Sequence, residues 1–375
     1  MAGYTHRERV LAAFSHEEPD RIPIDLMGNA SMLLDDTYLR LRDHLGLAPI
    51  PPVRSGTTAN YYDERILQEL DVDFRRIFLK KNPGNKVVQH DENSFTDIWG
   101  IRYERFGTLV NITEYPLAGA AGIKDIESYH WPSAAEMFTA DGLADHAGKL
   151  YHETDYALVA RNPLAGGFLE HSCNLMGMET FLLMMGAEPD IAKMLISKLL
   201  KIYKDVYTIF LDAVGPFVHM VEVSDDLGSH ENMIISPVMY REFIKPAEAE
   251  LYELIHRKAP NAKLFHHTDG AVFDILPDLI EVGVDVLNPV QTSSRGMAGN
   301  RLKQNFGRSL VFHGAVESVN QRASVDQVVA EVKNRIDVLA PGGGYVLGPC
   351  NHMMDVAPEA IIAMYAAARE YGRYK

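Results

Sequence analysis

The stretch Lys263-Leu-Phe-His-His-Thr-Asp-Gly270 is a short apolar run that ends in two histidines, an aspartate and a glycine. An apolar run followed by a turn signal is typical of a buried strand that opens into a loop. Side chains alternate along a strand, so we expect His266 to face away from His267. Imidazole and carboxylate groups at such an exit can hold a metal or move protons. We therefore predict an active centre at the carboxyl end of this strand.

Seven further segments resemble this strand, and helical patterns separate most of them. The eight predicted strands are residues 21–26, 74–79, 156–160, 217–223, 263–267, 284–288, 309–313 and 344–347. Eight strands alternating with helices are typical of an α/β fold of the (β/α)8 TIM-barrel type. Such barrels often exceed the usual domain size, so we expect one domain spanning residues 1–375.

Two segments do not follow the alternation of strands and helices. Residues 1–20 predict an N-terminal lid helix, because Thr5 and Glu8 have the spacing of a capping box. Residues from about 87 to 116 alternate polar and apolar side chains around Gly100 and Gly107, which predicts a small inserted β-hairpin.

The composition excludes several classes of protein. The formal net charge of −15 argues against nucleic acid as a partner, because binding phosphates requires clustered Lys and Arg. No stretch has the length and apolar character of a membrane span, and the first residues lack the apolar core of a signal peptide. With two cysteines, a disulfide framework is excluded. We expect a cytoplasmic protein and leave open its assembly as a homodimer.

Polar side chains collect where the predicted strands end, which is the active-site face of a TIM barrel. The candidates are Asp25, Arg161, Glu222, Asp225, Asp226, His267, Asp269, Asn288, Gln291, His313 and Cys350. Zinc takes His nitrogen, Cys sulfur and carboxylate oxygen, so Glu222, His267 and Cys350 could bind it, with Asp269 as a further ligand.

Each candidate also has a purely structural interpretation. His267 and His313 could be hydrogen-bonded barrel histidines, and Cys350 could be an inert buried thiol. Asp225 and Asp226 could cap a turn. A second candidate metal site is Glu170-His171-Ser-Cys173. Met176 belongs to a Met-rich run that is either core or the wall of an apolar substrate pocket.

Six segments of the chain resemble the uroporphyrinogen decarboxylase superfamily. They are Glu8-Arg-Val-Leu-Ala-Ala-Phe-Ser-His-Glu-Glu-Pro-Asp-Arg-Ile-Pro23, Asp225-Asp-Leu-Gly228, Ser236-Pro-Val-Met-Tyr-Arg-Glu-Phe-Ile-Lys-Pro246, His267-Thr-Asp-Gly270, Asn288-Pro-Val-Gln291 and Gly342-Gly-Gly-Tyr-Val-Leu-Gly-Pro349. The resemblance implies a TIM barrel and one of two chemistries, namely porphyrinogen decarboxylation or zinc-dependent methyl transfer to or from a cobamide.

The resemblance is closer to the methyltransferases. The decarboxylase has an Arg-rich block after its first strand, whereas this chain has Ile24-Asp-Leu-Met-Gly-Asn-Ala30. The zinc methyltransferases have His-x-Cys after the fifth strand and a second Cys after the eighth. This chain keeps His267 and Cys350 but has Asp269 in place of the first Cys, and Asp is a harder zinc ligand than Cys.

The resemblance thus implies a methyltransferase that acts on a small methylated substrate, such as a methoxylated aromatic, a methylamine or a methylthiol, together with a corrinoid protein. Zinc on Glu222, His267, Asp269 and Cys350 would act as a Lewis acid. Further residues would orient the substrate or shuttle a proton, namely Asp225, Asp226 and His313. The remaining candidates would bind the substrate, namely Asp25, Arg161, Asn288, Gln291 and Met176.

Two other functions remain open at this point. The first is a metal-free decarboxylase or lyase that uses Asp25, Arg161 and His313 to bind a carboxylate and protonate a carbanion. The second is a non-catalytic subunit that binds a corrinoid or another small molecule.

Overall fold

The computed structural model describes residues 3–29, 31–54, 58–107, 109–164 and 166–375. Residues 1 and 2 of the predicted lid and residue 108 of the predicted hairpin lie outside the described residues. No helix in the described ranges is long and apolar enough to cross a membrane.

A curled sheet of seven parallel strands forms the centre of the fold, and the strands are neighbours in chain order. They are β1 (Phe74–Ile77), β2 (Ala157–Ala160), β3 (Met220–Ser224), β4 (Lys263–His267), β5 (Val286–Asn288), β6 (Val311–Val316) and β7 (Tyr345–Pro349). Their residues are buried almost throughout, as expected when helices cover a parallel sheet. The predicted strands at these seven places are confirmed.

Residues 21–26, the remaining predicted strand, lie between the two edges of this sheet. The Asp25 backbone N–H donates to the Leu347 carbonyl oxygen at 2.9 Å, and the Leu347 N–H donates to Pro23 at 2.9 Å. On the other side, the Asp73 N–H donates to the Ile24 carbonyl oxygen at 3.0 Å. Because Pro23 has no N–H group, only a single bridge between Ile24 and Leu347 forms instead of a ladder. The segment still occupies the eighth position of a TIM-barrel-like fold.

Helices follow most of the strands. Those of the first half are α1 (His6–Phe14), α2 (Asp35–His44), α3 (Glu64–Glu69), α4 (Ile123–Ser128), α5 (Ala134–Met137), α6 (Leu143–Glu153), α7 (Phe168–Met176), α8 (Met178–Ala187) and α9 (Pro189–Val214). Those of the second half are α10 (Pro237–Met239), α11 (Lys245–Lys258), α12 (Leu276–Glu281), α13 (Gly299–Phe306), α14 (Val325–Leu339) and α15 (Pro358–Tyr371). Short 3-10 helices span Phe273–Ile275 and Ser318–Gln321, and a π-helical turn spans Tyr240–Ile244.

The insertion predicted as a hairpin is a four-stranded antiparallel sheet. Its strands are Val88–Gln89, Ser94–Thr96, Arg102–Phe106 and Leu109–Glu114. A separate two-stranded sheet pairs Lys80–Lys81 with Phe138–Thr139.

Helix α1 closes the amino-terminal end of the barrel, opposite the strand exits. Its capping box between Thr5 and Glu8 is present as predicted. Val10 and Phe14 pack against inward-facing residues near the strand starts, including Phe74. The helix predicted as a lid is therefore a plug beneath the barrel, because its apolar face is buried against the lowest layer of barrel side chains.

Candidate functional site

A polar layer lies inside the barrel directly above this apolar layer. Side chains two positions apart on a strand face the same side, so inward-facing residues can be counted along each strand. Two residues beyond the apolar layer, the inward side chains are Arg76 on β1, Glu222 on β3, His267 on β4, Asn288 on β5 and His313 on β6, and all are buried. The barrel interior thus changes from apolar to ionisable within one layer, towards the carboxyl ends of the strands.

Arg76 joins two acidic side chains inside this layer. It forms a short bidentate ion pair with Asp25, and its Nη2 lies 3.1 Å from Oε1 of Glu222. Burial would raise the pKa of Asp25, but the charge of Arg76 outweighs it and holds that pKa well below its usual range. Asp25 is therefore ionised and can only accept hydrogen bonds.

A chain of hydrogen bonds runs from Asp25 to His267. Asp25 lies 2.8 Å from Nε2 of His313, Asn288 Nδ2 lies 2.8 Å from Nδ1 of His313, and Asn288 Oδ1 lies 2.8 Å from Nδ1 of His267. Because Asp25 only accepts, His313 donates from Nε2, and its Nδ1 accepts from Nδ2 of Asn288, an amide nitrogen that can only donate. The amide of Asn288 then donates to His313 and accepts from Nδ1–H of His267. This leaves a free lone pair on Nε2 of His267, as metal binding requires.

Asp226, His267 and Asp269 form a group that could hold a metal ion, with one ligand atom of each within 4.8 Å of the others. Nε2 of His267 lies 3.5 Å from Oδ1 of Asp226, which also accepts the Asp269 backbone N–H at 3.0 Å. Oδ1 of Asp269 is buried and has no hydrogen-bond partner. Burial raises the pKa of Asp269, although His267 lowers it. An unpartnered carboxylate oxygen beside an imidazole lone pair fits a cation.

The loop that carries Asp269 is held in place by tight backbone packing. Gly270 has a φ of +86°, and a Cβ there would lie 2.4 Å from the carbonyl oxygen of Ser229. Its N–H donates to Oε1 of Gln291 at 3.0 Å. Gln291, predicted to bind substrate, therefore orients this loop.

The structure groups the predicted metal ligands differently. Asp226, predicted as a catalytic residue, joins His267 and Asp269, whereas Glu222 and Cys350 lie outside the group formed by the described residues. Glu222 forms an ion pair with Arg76. Cys350 is buried, and its Sγ lies 3.9 Å from the Pro289 carbonyl oxygen. Strand position alone could not reveal this, because the loops after the strands decide which side chains converge.

Asp225 and Met176 serve the packing of helix α7. The carboxylate of Asp225 accepts the backbone N–H groups of Leu169 at 2.8 Å and Glu170 at 3.0 Å, at the start of the helix. Burial and the nearby Glu248 raise the pKa of Asp225 to about 8. Met176 ends the same helix and is completely buried in the main core. The predicted catalytic and substrate-binding roles of these two residues have no support from their positions.

The second candidate metal site, Glu170 to Cys173, does not assemble. His171 packs against Trp99, its Nδ1 lies 3.1 Å from the Tyr203 hydroxyl, and burial lowers its pKa to about 3. Burial and Asp225 raise the pKa of the Cys173 thiol to about 12.

Glu170 belongs instead to the surroundings of the Asp226, His267 and Asp269 group. Burial and the charges of Asp226 and Asp225 raise its pKa to about 7. From the sequence, Glu170 is a candidate only as a partner of Cys173. Its position in the first turn of the helix that follows β2 is the signal that could have placed it at the strand exits.

Comparisons with known proteins agree with this architecture. A methyltransferase from Methanosarcina mazei superposes with a TM-score of 0.68 over 98% of this chain and 99% of that chain, at 18% identity. A xylanase from Thermotoga maritima matches at a TM-score of 0.37 and 12% identity, over 62% of this chain and 80% of that chain. The first similarity shows a shared fold. No curated protein matches the chain.

The family model described as uroporphyrinogen decarboxylase (URO-D) matches residues 162–371, which is more than half of the chain. The matched part contains strands β3 to β7 and the Asp226, His267 and Asp269 group. The chain therefore belongs to the uroporphyrinogen decarboxylase family.

Proposed function

We propose that this protein is a methyltransferase that moves a methyl group between a small methylated substrate and a corrinoid protein, with zinc bound by Asp226, His267 and Asp269. The substrate would be a methoxylated aromatic, a methylamine or a methylthiol. The observation that carries the proposal is the convergence of these three ligand-type side chains at the strand exits. The shared fold with a methyltransferase agrees with it.

The donor set fits a divalent cation. Zinc accepts imidazole nitrogen and carboxylate oxygen, and three protein ligands leave a position for substrate, as in catalytic zinc sites. When bound, zinc would supply Lewis-acid polarisation of the oxygen, nitrogen or sulfur that carries the methyl group. The unpartnered Oδ1 of Asp269 and the free lone pair of His267 are the atoms available to it.

Other side chains of this protein would orient the metal ligands and supply the proton that the demethylated product needs. Asn288 holds the ring of His267, and Gln291 holds the Gly270 turn next to Asp269. Loss of a methyl group leaves an oxygen, nitrogen or sulfur anion that must gain one proton. Glu170, with a pKa raised to about 7 by burial and by Asp226, can carry that proton at neutral pH.

The metal-free alternative is less well supported. It needs Asp25 and His313 to contact a substrate, but their side chains are 0% and 1% exposed and bind each other. Arg76 already neutralises Asp25. Both residues are therefore better explained as supports of the polar layer.

Metal content measured by plasma mass spectrometry tests the proposal. We expect about one zinc per chain in the wild type and its loss in His267→Ala and Asp269→Asn. Cys350→Ala is the matched control, since Sγ contacts a carbonyl oxygen outside the group, and it should keep the metal. Loss of zinc in Cys350→Ala but not in Asp269→Asn would contradict the ligand set.

A second measurement tests the reaction. Purified protein is mixed with cob(I)alamin and a panel of methylated ethers, amines and thioethers, and methylcobalamin is followed by its absorbance. We expect a donor-dependent signal that His267→Ala abolishes. Full activity after removal of metal, or ligand binding without any turnover, would contradict the methyltransferase proposal.

A further inference from the structure

Two guanidinium groups lie near one aromatic ring at the strand exits. Cζ of Arg54 is 5.4 Å from the centroid of the Phe78 ring, and Cζ of Arg161 is 5.9 Å from it. Arg161 directly follows strand β2, and its Nη2 donates to the carbonyl oxygen of Asn29 at 3.4 Å. The pair is therefore at the carboxyl end of the barrel, on the same face as the candidate metal group.

Neither guanidinium has an ion-pair partner among the described residues. Arg161 donates to the carbonyl oxygens of Asn162 and Asn29, and Arg54 donates to that of Ala59. The Nε atoms of both arginines are buried and have no hydrogen-bond partner. Two partly buried cations that repel each other and have no ion-pair partner are costly, because desolvation and mutual repulsion add. Burial and the charge of Arg161 indeed lower the pKa of Arg54 to about 10.

Other buried arginines of this chain are neutralised. Arg9 and Arg21 pair with Asp73, and Arg75 and Arg76 pair with acidic side chains. In a chain with a net charge of −15, carboxylates are abundant, so two partly buried guanidinium groups without an ion pair differ from these arginines.

The two arginines and His267 act electrostatically on the same residue, His352. His352 is near enough to Arg161, His267 and Arg54 for all three charges, after burial, to lower its pKa to about 4. A ligand held by the two arginines would therefore reach towards the Asp226, His267 and Asp269 group.

The chemistry of the guanidinium groups indicates which kind of anion they would bind. Arg161 interacts electrostatically with Glu222 and Arg76, and Arg76 binds Asp25. The carboxylate of Asp35 also acts electrostatically on Arg54, and neither Arg54 nor Arg161 forms an ion pair with a described residue. An anion beside the two guanidinium groups could pair with both, and the planar guanidinium group matches the two oxygens of a carboxylate.

We propose that Arg54 and Arg161 bind a carboxylate on the methylated substrate, so that this methyltransferase acts on a methylated carboxylic acid. The inference rests on the proposed function, which supplies the methyl group of the substrate. The carboxylate of the substrate is inferred from the two guanidinium groups that have no ion-pair partner among the described residues. It narrows the substrate class to compounds in which a carboxylate and a methylated oxygen, nitrogen or sulfur are joined by a short spacer.

Thermal-shift and calorimetric binding with matched probes test this inference. The probes are 4-methoxybenzoate, N,N-dimethylglycine and 3-(methylthio)propionate, each compared with its carboxamide, which lacks the carboxylate charge, together with inorganic phosphate and sulfate. We expect at least one acid to bind about tenfold more tightly than its amide, which corresponds to about 1.4 kcal/mol. Arg161→Gln and Arg54→Gln should abolish the difference, Arg161→Lys should keep part of it, and the exposed Arg308→Gln should leave it unchanged.

Several outcomes would overturn the inference. These are equal affinity for all acids and amides, acid binding that survives both Gln variants, and arginine-dependent binding of phosphate or sulfate alone. The variants remain interpretable because removal of one of two repelling charges should not lower the melting temperature. Zinc content and methyl transfer are measured separately, so arginine-dependent acid binding without turnover would contradict the proposed function and leave the anion site standing.

Discussion

Nδ1 of His267 and Oδ1 of Asn288 are 2.8 Å apart, and this contact sets which ring nitrogen of His267 is free. The direction of the hydrogen bond follows from the rest of the chain, where Asp25 can only accept a hydrogen bond from His313 and Asn288 donates to His313 from Nδ2. A buried ion pair on one side of the barrel therefore decides the tautomer of a candidate metal ligand on the other side. Such supporting contacts commonly tune metal affinity as strongly as changes nearer the ion.

Replacing Asn288 should weaken metal binding without removing a ligand. In Asn288→Leu the ring of His267 loses its acceptor, so either nitrogen can carry the proton and the ring can rotate. We expect zinc affinity, measured by competition with a chromogenic chelator, to fall about 10- to 100-fold. The surface variant Asn305→Ala is the control, and its affinity should equal that of the wild type. An unchanged affinity in Asn288→Leu would show that the contact does not orient His267.

Replacing Arg76 should destabilise the fold. Arg76→Met leaves the carboxylates of Asp25 and Glu222 buried without their cation, and breaking a buried ion pair typically costs about 3–5 kcal/mol. The free energy of unfolding from denaturant titration measures the loss. Arg257→Met provides a matched control, because its pair with Glu253 is on the surface and should cost at most about 1 kcal/mol. Equal effects of the two substitutions would contradict the structural role of Arg76.

Glu248 should make stability depend on pH. It is fully buried behind the barrel, where Tyr240 and Tyr252 donate to it at 2.6 and 3.2 Å, and burial raises its pKa to about 7. A carboxyl group whose pKa is higher in the folded state than in the unfolded state binds more protons when the protein is folded. The free energy of unfolding therefore falls as the pH rises from the pKa of the unfolded state to that of the folded state. The ionisation of Glu248 should therefore lower the free energy of unfolding progressively between about pH 4.5 and 7.

The variant Glu248→Gln isolates this contribution. Its free energy of unfolding relative to wild type should rise by about 2–3 kcal/mol from pH 5 to pH 8, since one pKa unit is worth about 1.4 kcal/mol. The exposed Glu253→Gln should show no such trend. A pH-independent difference between Glu248→Gln and wild type would mean that Glu248 does not titrate in this range.

Regular elements with strong local patterns were predictable from the sequence. The helix Val325–Leu339 is capped by Ser324 and Gln327, whose side chains satisfy backbone N–H groups within four residues of chain. The buried strands are likewise short apolar runs that end at polar residues. The family resemblance read from the motifs is confirmed by the match over residues 162–371.

Side-chain partnerships across the barrel were not predictable in the same way. Arg76 was not among the candidates, although it joins Asp25 to Glu222 across 51 and 146 residues of chain. Arg54 was missed for the same reason, because nothing near it in sequence indicates that it lies beside Arg161 at the ring of Phe78.

The sequence by itself determined the class of fold, the family and the end of the barrel at which polar residues meet, because periodicity, caps and turn residues act over a few neighbouring positions. Only the tertiary structure decided that Asp226 joins His267 and Asp269, that Glu222 pairs with Arg76, and that Cys350 lies outside the group. These choices depend on where loops from different strands place individual atoms. Ångström-scale differences there decide whether a carboxylate meets a guanidinium, an imidazole or a cation.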